Sequence, residues 1–257
     1  MKTLINAKAL TLAGKTRPVF GPLSLSIPTG KLCLISGEQS SGKSSLLLAL
    51  TGRFNGLEGE LTINGIDATE HPLQVLEHTS VAQLGNYLTA EDRLTINEAI
   101  YDRAFIDNMS PRKAKQRFSE LEELIGLKLN RNTQLNEYDL LTQRWVSVAL
   151  AILRPAKVTI LDDADQGLTP TQAAELYRIL QNIAEHEEMA IIVSGFHAGA
   201  VPQGTLLLNL EGNKQHPREY EKATNPELSQ QESAPQINDP LAEPADSTEA
   251  AEEKEEN

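Results

Sequence analysis

Hydrophobic and polar positions alternate over much of the first quarter of the chain, a period of two that is typical of strands with one buried face. The alternation is clearest at Ala9 to Ala13 and at Leu23 to Ile27, and the continuous apolar run Leu32 to Ile35 predicts a buried strand. The segment Gly59 to Gly65 ends in an Asn-Gly dipeptide, which favours a tight turn. The pattern therefore predicts a β-rich lobe over Leu4 to Ile66.

The period changes to that of a helix between Thr95 and Leu135, and Gly126 ends the second helical run. We therefore predict a helical insert at about residues 95–142. Its two apolar faces are formed by Ile96, Ala99 and Ile100, and by Phe118, Leu121, Leu124 and Ile125.

Strand and helix patterns alternate after the insert, which favours parallel strands joined by crossover helices in an α/β fold. We predict that this body spans residues 1–214. The predicted elements are a helix at Arg144 to Leu153, a strand at Val158 to Leu161, a helix at Thr171 to Glu185, a strand at Met189 to Val193 and a closing strand at Leu206 to Asn209.

The net charge of −13 is concentrated near the end of the chain of 257 residues. Residues 226–257 contain ten acidic residues and one lysine, a net charge of −9, which leaves −4 for the rest. The body lacks the basic footprint of a nucleic-acid binder, so a nucleic-acid partner is disfavoured. Because residues 215–257 have little apolar material to bury, we predict a disordered acidic tail. It is either a passive solubilising segment or an acidic docking or autoinhibitory segment.

The apolar runs of the sequence are all shorter than the roughly 18 to 20 residues needed to span a bilayer. The segment Met1 to Ala13 alternates and carries Lys2 and Lys8, unlike a signal peptide. We therefore expect a cytoplasmic protein. The single cysteine, Cys33, lies in an apolar run and is interpreted as a small hydrophobic core residue.

The segment Gly37 to Ser44, GEQSSGKS, matches the phosphate-binding P-loop pattern G-x-x-x-x-G-K-[ST], and the apolar helix predicted at Ser45 to Leu50 follows it. The glycines let backbone N–H groups face a polyphosphate, Lys43 supplies charge, and the Ser44 hydroxyl can bind magnesium. The expected ligand is a purine nucleoside triphosphate. The candidate binding residues are Gly37, Glu38, Gln39, Ser40, Ser41, Gly42, Lys43, Ser44 and Ser45.

Two carboxylates, Asp162 and Asp163, follow directly on the apolar strand predicted at Val158 to Leu161. In P-loop NTPases a strand of this kind delivers an acid to the magnesium shell beside the P-loop hydroxyl. Asp162 is therefore the predicted metal-side acid.

With these motifs the chain resembles the ATP-binding subunits of ABC transporters over roughly Leu4 to Asn209. The segment Ile160 to Thr169, ILDDADQGLT, is similar to the family's ILDEPTSGLD, and Leu94 to Glu98, LTINE, is similar to its Leu-Thr-x-x-Glu-Asn segment near the transporter-contacting surface. The resemblance implies a P-loop NTPase core with an antiparallel β subdomain and a helical insert. It also implies ATP and Mg2+ as cofactors.

The resemblance assigns further site residues. Gln83, 40 residues after Lys43, corresponds to the family's Q-loop glutamine, which contacts magnesium and the attacking water. His197 falls at about the place of the switch histidine, with Gly195-Phe196 as an insertion before it. The implied catalytic residues are Asp163, Gln83 and His197, and the implied metal ligands are Ser44, Gln83 and Asp162.

The sequence also departs from the family's pattern. Tyr138 to Thr142, YDLLT, stands where the family has its signature LSGGQ, so bulky leucines and a carboxylate replace the groups that grip a partner's γ-phosphate. Asp163 replaces the glutamate that polarises water, and Thr169 replaces an aspartate of the dimer contact. The segment Leu10 to Gly14 lacks the aromatic that stacks on adenine. Hydrolysis by the chain alone is therefore left open.

Arg144 and Trp145 follow the altered signature segment at the start of a predicted helix. We interpret them as a surface arginine and a packing tryptophan and leave both out of the catalytic set.

The leading hypothesis is an ATP-binding subunit of an ABC-type transporter that binds Mg-ATP and hydrolyses it weakly or only with a partner. The resemblance implies a membrane permease partner, which would place the protein at the inner face of a membrane, and a second ATP-binding subunit. A heterodimer is favoured over a homodimer, because an intact partner signature would meet this P-loop. The alternative is a nucleotide-dependent regulatory or scaffold protein without transport activity.

Overall fold

A computed structural model of the chain describes residues 2–85 and 91–210, together with the backbone of residues 218–219. The prediction of a disordered tail at 215–257 lies outside the described side chains. Within the described ranges, no helix is both long and apolar enough to cross a membrane.

The strands alternate with helices along most of the chain. In chain order the strands are β1 (Thr3–Leu12), β2 (Phe20–Pro28), β3 (Lys31–Ser36), β4 (Leu57–Ile63), β5 (Ile66–Asp67), β6 (Thr79–Gln83), β7 (Val158–Leu161), β8 (Ala190–Ser194), β9 (Leu206–Asn209) and β10 (Arg218–Glu219). The helices are α1 (Lys43–Ala49), α2 (Pro72–His78), α3 (Ile96–Ile106), α4 (Pro111–Ile125), α5 (Leu140–Ala151) and α6 (Pro170–His186).

The first sheet is antiparallel, with strand order β2-β1-β4-β5. The turn between β4 and β5 is formed by Asn64 and Gly65, whose φ angles are 51° and 85°. Two successive positive φ angles are what a two-residue hairpin requires, and the Asn-Gly dipeptide tolerates them. The predicted tight turn is thus confirmed.

The second sheet has the order β10-β9-β3-β8-β7-β6, and its strands from β9 to β6 are parallel. The strand predicted at Leu32 to Ile35 therefore belongs to this sheet and not to the antiparallel lobe, which corrects the lobe predicted over Leu4 to Ile66. Parallel strands bring their carboxyl ends to one edge. The loops that follow β3, β6, β7 and β8 meet at that edge.

The predicted alternation of strands and helices after the insert is confirmed, with one shifted start, whereas two elements before the insert were missed. Helix α5 begins at Leu140 instead of Arg144, because Asp139 accepts a hydrogen bond from the Thr142 N–H and caps the helix four residues earlier. Neither α2 nor β6 was predicted. The first residues of β6, Thr79 and Ser80, are polar but fully buried, so its sequence lacks an apolar signal.

The parallel sheet separates two hydrophobic clusters, because side chains alternate across a strand. In β3, Leu32 and Leu34 face the cluster built with the helices α3 to α6, whereas Cys33 and Ile35 face the cluster built with the antiparallel sheet. Burial raises the pKa of the Cys33 thiol to about 12, so this thiol is inert at neutral pH. Its interpretation as a core residue is confirmed.

Helices α3 and α4 occupy the predicted helical insert, and α4 ends at Gly126 as expected. Phe118 of α4 is fully buried and packs against Trp145 of α5, with ring centroids 5.8 Å apart. Trp145 is fully buried, which confirms its interpretation as a packing residue. This aromatic pair joins the insert to the helix that leads into β7.

We expect Phe118→Ala to lower the free energy of unfolding by about 3–5 kcal/mol, because it removes a buried ring and leaves a cavity against Trp145. The matched control is Phe105→Ala on α3, whose ring is 87% exposed and whose removal should change stability by less than about 0.5 kcal/mol. Urea unfolding followed by circular dichroism measures both. Equal losses for the two variants would contradict this packing.

Candidate nucleotide-binding site

The loop from Gly37 to Gly42 connects β3 to α1 at the carboxyl edge of the parallel sheet. Gly42 has a φ of 93°, and a Cβ atom placed on it would lie 2.5 Å from the Val19 carbonyl oxygen. A Cβ on Gly37 would lie 2.8 Å from the Ser41 hydroxyl oxygen. Larger residues at either position would therefore displace the loop, and both glycines are required by close contacts as well as by the backbone.

Lys43 reaches back over this loop. Its ammonium donates to the carbonyl oxygens of Gly37 (2.8 Å) and Glu38 (2.7 Å), and it lies 5.7 Å from the centroid of the Phe196 ring. The hydroxyl oxygen of Ser41 is buried, and among the described residues it has no hydrogen-bond partner. A cation and an unpaired hydroxyl on one tight loop are suited to phosphate oxygens.

The carboxylate of Asp162 is held by two serine hydroxyls. Ser44 Oγ donates to Asp162 Oδ2 at 2.6 Å, and Ser194 Oγ, at the end of β8, donates to Asp162 Oδ1 at 2.5 Å. Asp162 is 2% exposed. The predicted pairing of the P-loop serine with the strand carboxylate is thus present as a direct contact.

Asp163 lies beside this pair in an uncommon backbone conformation, with a φ of 48°. Its N–H donates to Ser194 Oγ at 2.8 Å, so one serine orients both aspartates. Burial and the neighbouring Asp162 raise the pKa of the Asp163 carboxyl, while Lys43 and Arg144 oppose the shift. A carboxylate with a raised pKa accepts a proton more readily than an ordinary one.

Two adjoining cavities open on the P-loop. The first, of about 420 Å3, is lined by Lys43, Ser44, Asp163 and Phe196 among others. The second, of about 730 Å3, shares Val19, Gln39 and Ser40 with the first and extends past Lys15, Arg17 and Phe20. Their sizes are within the range of small-molecule sites.

The donor set suits a magnesium–nucleotide complex. Hydroxyl and carboxylate oxygens such as those of Ser44 and Asp162 are the ligands that Mg2+ prefers. Lys43 and the unpaired Ser41 hydroxyl offer donors to phosphate. The residues present therefore fit both groups.

The side chain of Gln83 is not brought to Ser44 and Asp162. Its backbone is close to them, since the Asp162 N–H donates to the Gln83 carbonyl oxygen at 3.1 Å. Its side-chain oxygen, however, accepts a hydrogen bond from the guanidinium of Arg144, and both residues line a separate cavity of about 450 Å3. Burial lowers the pKa of Arg144, against the effect of Asp163 and Asp165. Our interpretation of Arg144 as a surface arginine was wrong.

His197 is held by the buried carboxylate of Asp165. Asp165 Oδ2 lies 2.9 Å from His197 Nδ1 and accepts hydrogen bonds from the His197 N–H (2.7 Å), the Phe196 N–H (2.9 Å) and the Tyr177 hydroxyl (2.8 Å). A Cβ on Gly195 would lie 2.4 Å from the Tyr177 hydroxyl oxygen, so no side chain fits there. The turn presents Phe196, and not His197, to the P-loop cavity.

Sequence reasoning missed four residues of this site: Ser194, Asp165, Phe196 and Arg144. Ser194 had a weak signal, since it follows the apolar strand predicted at Met189 to Val193 and carboxyl ends of parallel strands carry sites. The contacts of the others join segments far apart in the chain. Gln83 and Arg144, for example, are 61 residues apart.

Comparison with known proteins decides the family. The model of the family described as ABC transporter matches residues 20–166, more than half of the chain. The chain belongs to the ABC transporter family. The resemblance stated from its motifs is thereby confirmed, and membership implies nucleotide binding.

Curated relatives of this ABC domain share less than a third of their residues with it. Phospholipid-transporting ATPase ABCA3 of Homo sapiens is 24% identical over 175 residues, which is 68% of this chain and 10% of that protein. Ribose import ATP-binding protein RbsA of Lacticaseibacillus paracasei is 23% identical over 188 residues, 70% of this chain and 37% of that protein. The chain thus spans about a third or less of the length of these relatives.

Solved structures show the same fold. A nucleotide-free ATP-binding cassette from an ABC transporter superposes with a TM-score of 0.66 at 14% identity, covering 80% of this chain and 87% of that one. An ATP-binding subunit of an ABC transporter gives a TM-score of 0.61 at 18% identity, covering 80% and 85%. These matches confirm the predicted fold class, a P-loop core with an antiparallel β subdomain and a helical insert.

The segment of this ABC domain that stands where the family has LSGGQ forms the start of α5. Asp139 Oδ1 accepts from the Thr142 N–H at 2.8 Å, and Asp139 Oδ2 accepts from the Thr142 hydroxyl at 3.2 Å. A helix N-terminus attracts anions, and this one already holds a carboxylate from its own chain. An incoming phosphate would meet negative charge there.

We expect Asp163→Asn to be more stable than the parent protein at pH 7, since the folded state disfavours the charged form of Asp163. A carboxyl whose pKa is raised on folding contributes stability below its unfolded pKa, near 3.9, and loses it as the pH rises through the folded value. The advantage of the variant should therefore shrink as the pH falls through that window. Thermal unfolding of both proteins between pH 3.5 and 8 measures it. A difference that is constant with pH would contradict the assignment.

Proposed function

We propose that the chain is the ATP-binding subunit of an ABC-type transporter, binding Mg-ATP at the P-loop and hydrolysing it weakly or only with a partner. The contact that carries this proposal is the hydrogen bond from Ser44 to Asp162, with Ser194 on the other carboxylate oxygen. It joins the P-loop helix to the carboxyl ends of β7 and β8 at the point where a magnesium–phosphate group is expected.

The P-loop residues bind and orient the triphosphate in this proposal. Lys43 and the backbone N–H groups of residues 37–45 donate to phosphate oxygens, and the Ser41 hydroxyl supplies a further donor. Ser44 and Asp162, with Gln83, hold magnesium, which neutralises phosphate charge when it is bound. The cavity beside Lys15 and Arg17 accommodates the nucleoside.

Three features support slow hydrolysis by the chain alone. Asp163 orients water from a side chain one methylene shorter than the family's glutamate, and displacement of a catalytic group by about an ångström can cost roughly 10²-fold in rate. The side-chain oxygen of Gln83 accepts a hydrogen bond from Arg144, and the ring of His197 is hydrogen-bonded to Asp165. Their catalytic roles, if retained, require these contacts to change.

The cap of α5 favours a heterodimer with a second ATP-binding subunit. In a homodimer Asp139 and the leucines after it would face the triphosphate at both composite sites. A partner with an intact signature would instead complete the site at this P-loop. One composite site would then hydrolyse ATP, and the other would mainly bind it.

A groove between α3 and α5 supports a membrane permease as a further partner. It encloses about 250 Å3 and is lined by apolar residues that include Leu94, Ala99 and Ile106, by the acidic residues Glu91 and Asp102, and by Arg103, which pairs with Asp107. Beside it, Phe105 and Ile106 are 87% and 65% exposed. An exposed apolar patch rimmed by acidic groups suits an apolar segment of a partner that carries a basic residue. Such docking would hold the protein at the cytoplasmic face of a membrane.

Purified protein is expected to bind ATP in the presence of Mg2+, and Lys43→Ala should weaken that binding roughly 10- to 100-fold, because it removes charge-assisted hydrogen bonds to phosphate. Isothermal titration calorimetry measures the affinity, and release of inorganic phosphate measures turnover. Turnover by the chain alone should be negligible. A version ending at Thr224 should bind like the full chain.

The matched control is Lys157→Ala, which removes a lysine at the amino end of β7, the opposite edge of the sheet. It should leave ATP affinity unchanged. Equal affinity of Lys43→Ala and the parent protein would overturn the proposed nucleotide site. Turnover at the rate of an ordinary family member would overturn the need for a partner subunit.

A photocrosslinking residue at position 105 should capture an integral membrane protein in living cells, since this side chain stands exposed beside the α3–α5 groove. The same residue at position 73, where Leu73 is 77% exposed on α2, serves as the control. Mass spectrometry of the crosslinked products identifies the class of partner. A soluble partner from position 105, with no membrane protein, would favour the regulatory or scaffold alternative over transport.

A further inference from the structure

The guanidinium of Arg144 holds the side-chain oxygen of Gln83, the group that the proposed function assigns to magnesium. Gln83 is 6% exposed, and its amide nitrogen donates to the Gly85 carbonyl oxygen at 3.4 Å. Both ends of the Gln83 amide are therefore engaged by protein groups. The motifs shared with the family do not predict this contact, and the sequence led us to interpret Arg144 as a surface residue.

The backbone of Gln83 is fixed next to the metal-side carboxylate. Gln83 pairs with Leu161 in the parallel sheet, and the Asp162 N–H donates to its carbonyl oxygen at 3.1 Å. The Gln83 side chain nevertheless lies in the cavity of about 450 Å3 with Arg144, and not in the P-loop cavity. The backbone of Gln83 is thus beside the metal-side carboxylate while its side chain lies in the other cavity.

An amide oxygen has two lone pairs, so competition for it between a guanidinium and a divalent cation arises from their charges. The two cations would approach within a few ångströms of each other in a partly buried site, where like charges repel strongly. Arg144 has other negative charge nearby, since Asp163 and Asp165 both raise its pKa. If Arg144 released Gln83, its guanidinium would therefore still lie near the carboxylates of Asp163 and Asp165.

We propose that Arg144 is a positioning residue that competes with the divalent metal for the side-chain oxygen of Gln83 and keeps that side chain out of the nucleotide site until the metal takes it. The proposal rests on the proposed binding of Mg-ATP. Arg144 lies in the second turn of α5, the helix that Asp139 caps, so it belongs to the same helix as the segment in the signature position.

The test measures binding of a fluorescent ATP analogue in Mg2+ and in EDTA, and compares the ratio of the two dissociation constants among variants. Arg144→Ala removes the competitor and should increase the gain in affinity that magnesium provides by roughly tenfold, the order expected for a hydrogen bond to a charged group. Loss of the attraction between Arg144 and the triphosphate also changes this ratio, because ATP in EDTA carries more negative charge than Mg-ATP.

A double-mutant cycle with Gln83→Ala separates competition from a simple field effect of the charge. In the Gln83→Ala background the Arg144→Ala change should leave only the field effect of the charge, so the ratio should rise clearly less than it does in the parent background. An equal increase in both backgrounds, or no increase in either, would overturn the proposal. Arg144→Met, which keeps the apolar stem, replaces Arg144→Ala if the latter fails to fold.

Arg178→Ala is the matched control, because Arg178 is an exposed arginine on α6 that pairs with Glu175. Its ratio should equal that of the parent protein. Absence of analogue binding by the parent protein in Mg2+ would overturn the proposed function, and this inference with it. Normal binding with an unchanged ratio in Arg144→Ala would overturn this inference alone.

Discussion

The carboxylate of Asp162 is the contact on which the arrangement of the site depends. It accepts hydrogen bonds from Ser44 on the P-loop helix and from Ser194 at the end of β8. Three elements that are remote in sequence therefore meet at one buried carboxylate. A buried polar group is costly unless it has hydrogen-bond partners, so these two hydroxyls compensate for the burial of the carboxylate where a metal is expected.

The three aspartates near the end of β7 differ in the hydrogen-bond donors that surround their carboxyl groups. Asp162 receives two hydroxyl donors, and Asp165 receives two backbone N–H groups, a tyrosine hydroxyl and the ring of His197. Within the described ranges no such donor is seen on the carboxyl of Asp163: burial and Asp162 raise its pKa, and Lys43 and Arg144 lower it. The side chain with the fewest fixed donors is the one that lines the P-loop cavity.

The folded structure shows which contacts are made by the residues that depart from the family's motifs. Asp139 places a carboxylate on the helix N-terminus that a partner's phosphate would use in a family member with LSGGQ. Tyr177 and Asp165 fill the space at Gly195, so the turn after β8 carries Phe196 toward Lys43 and ties His197 to Asp165. Each change preserves the phosphate-binding loop while altering the groups around it. This combination supports our proposal that the chain binds Mg-ATP and hydrolyses it weakly or only with a partner.

Local patterns in the sequence determined most of the elements and the phosphate-binding loop. Three such patterns involve residues that are close together in the sequence, so they can be recognised without knowledge of the fold. They are the alternation at Leu23 to Ile27, the helical period near Phe118 and the spacing of Gly37, Gly42 and Lys43. Tertiary structure alone decided which groups meet: Asp162 with Ser44 across 118 residues, and Arg144 with Gln83 across 61. Such pairs form because of the strand order and because buried polar groups need hydrogen-bond partners. Neither of these two causes produces a periodic pattern in the sequence.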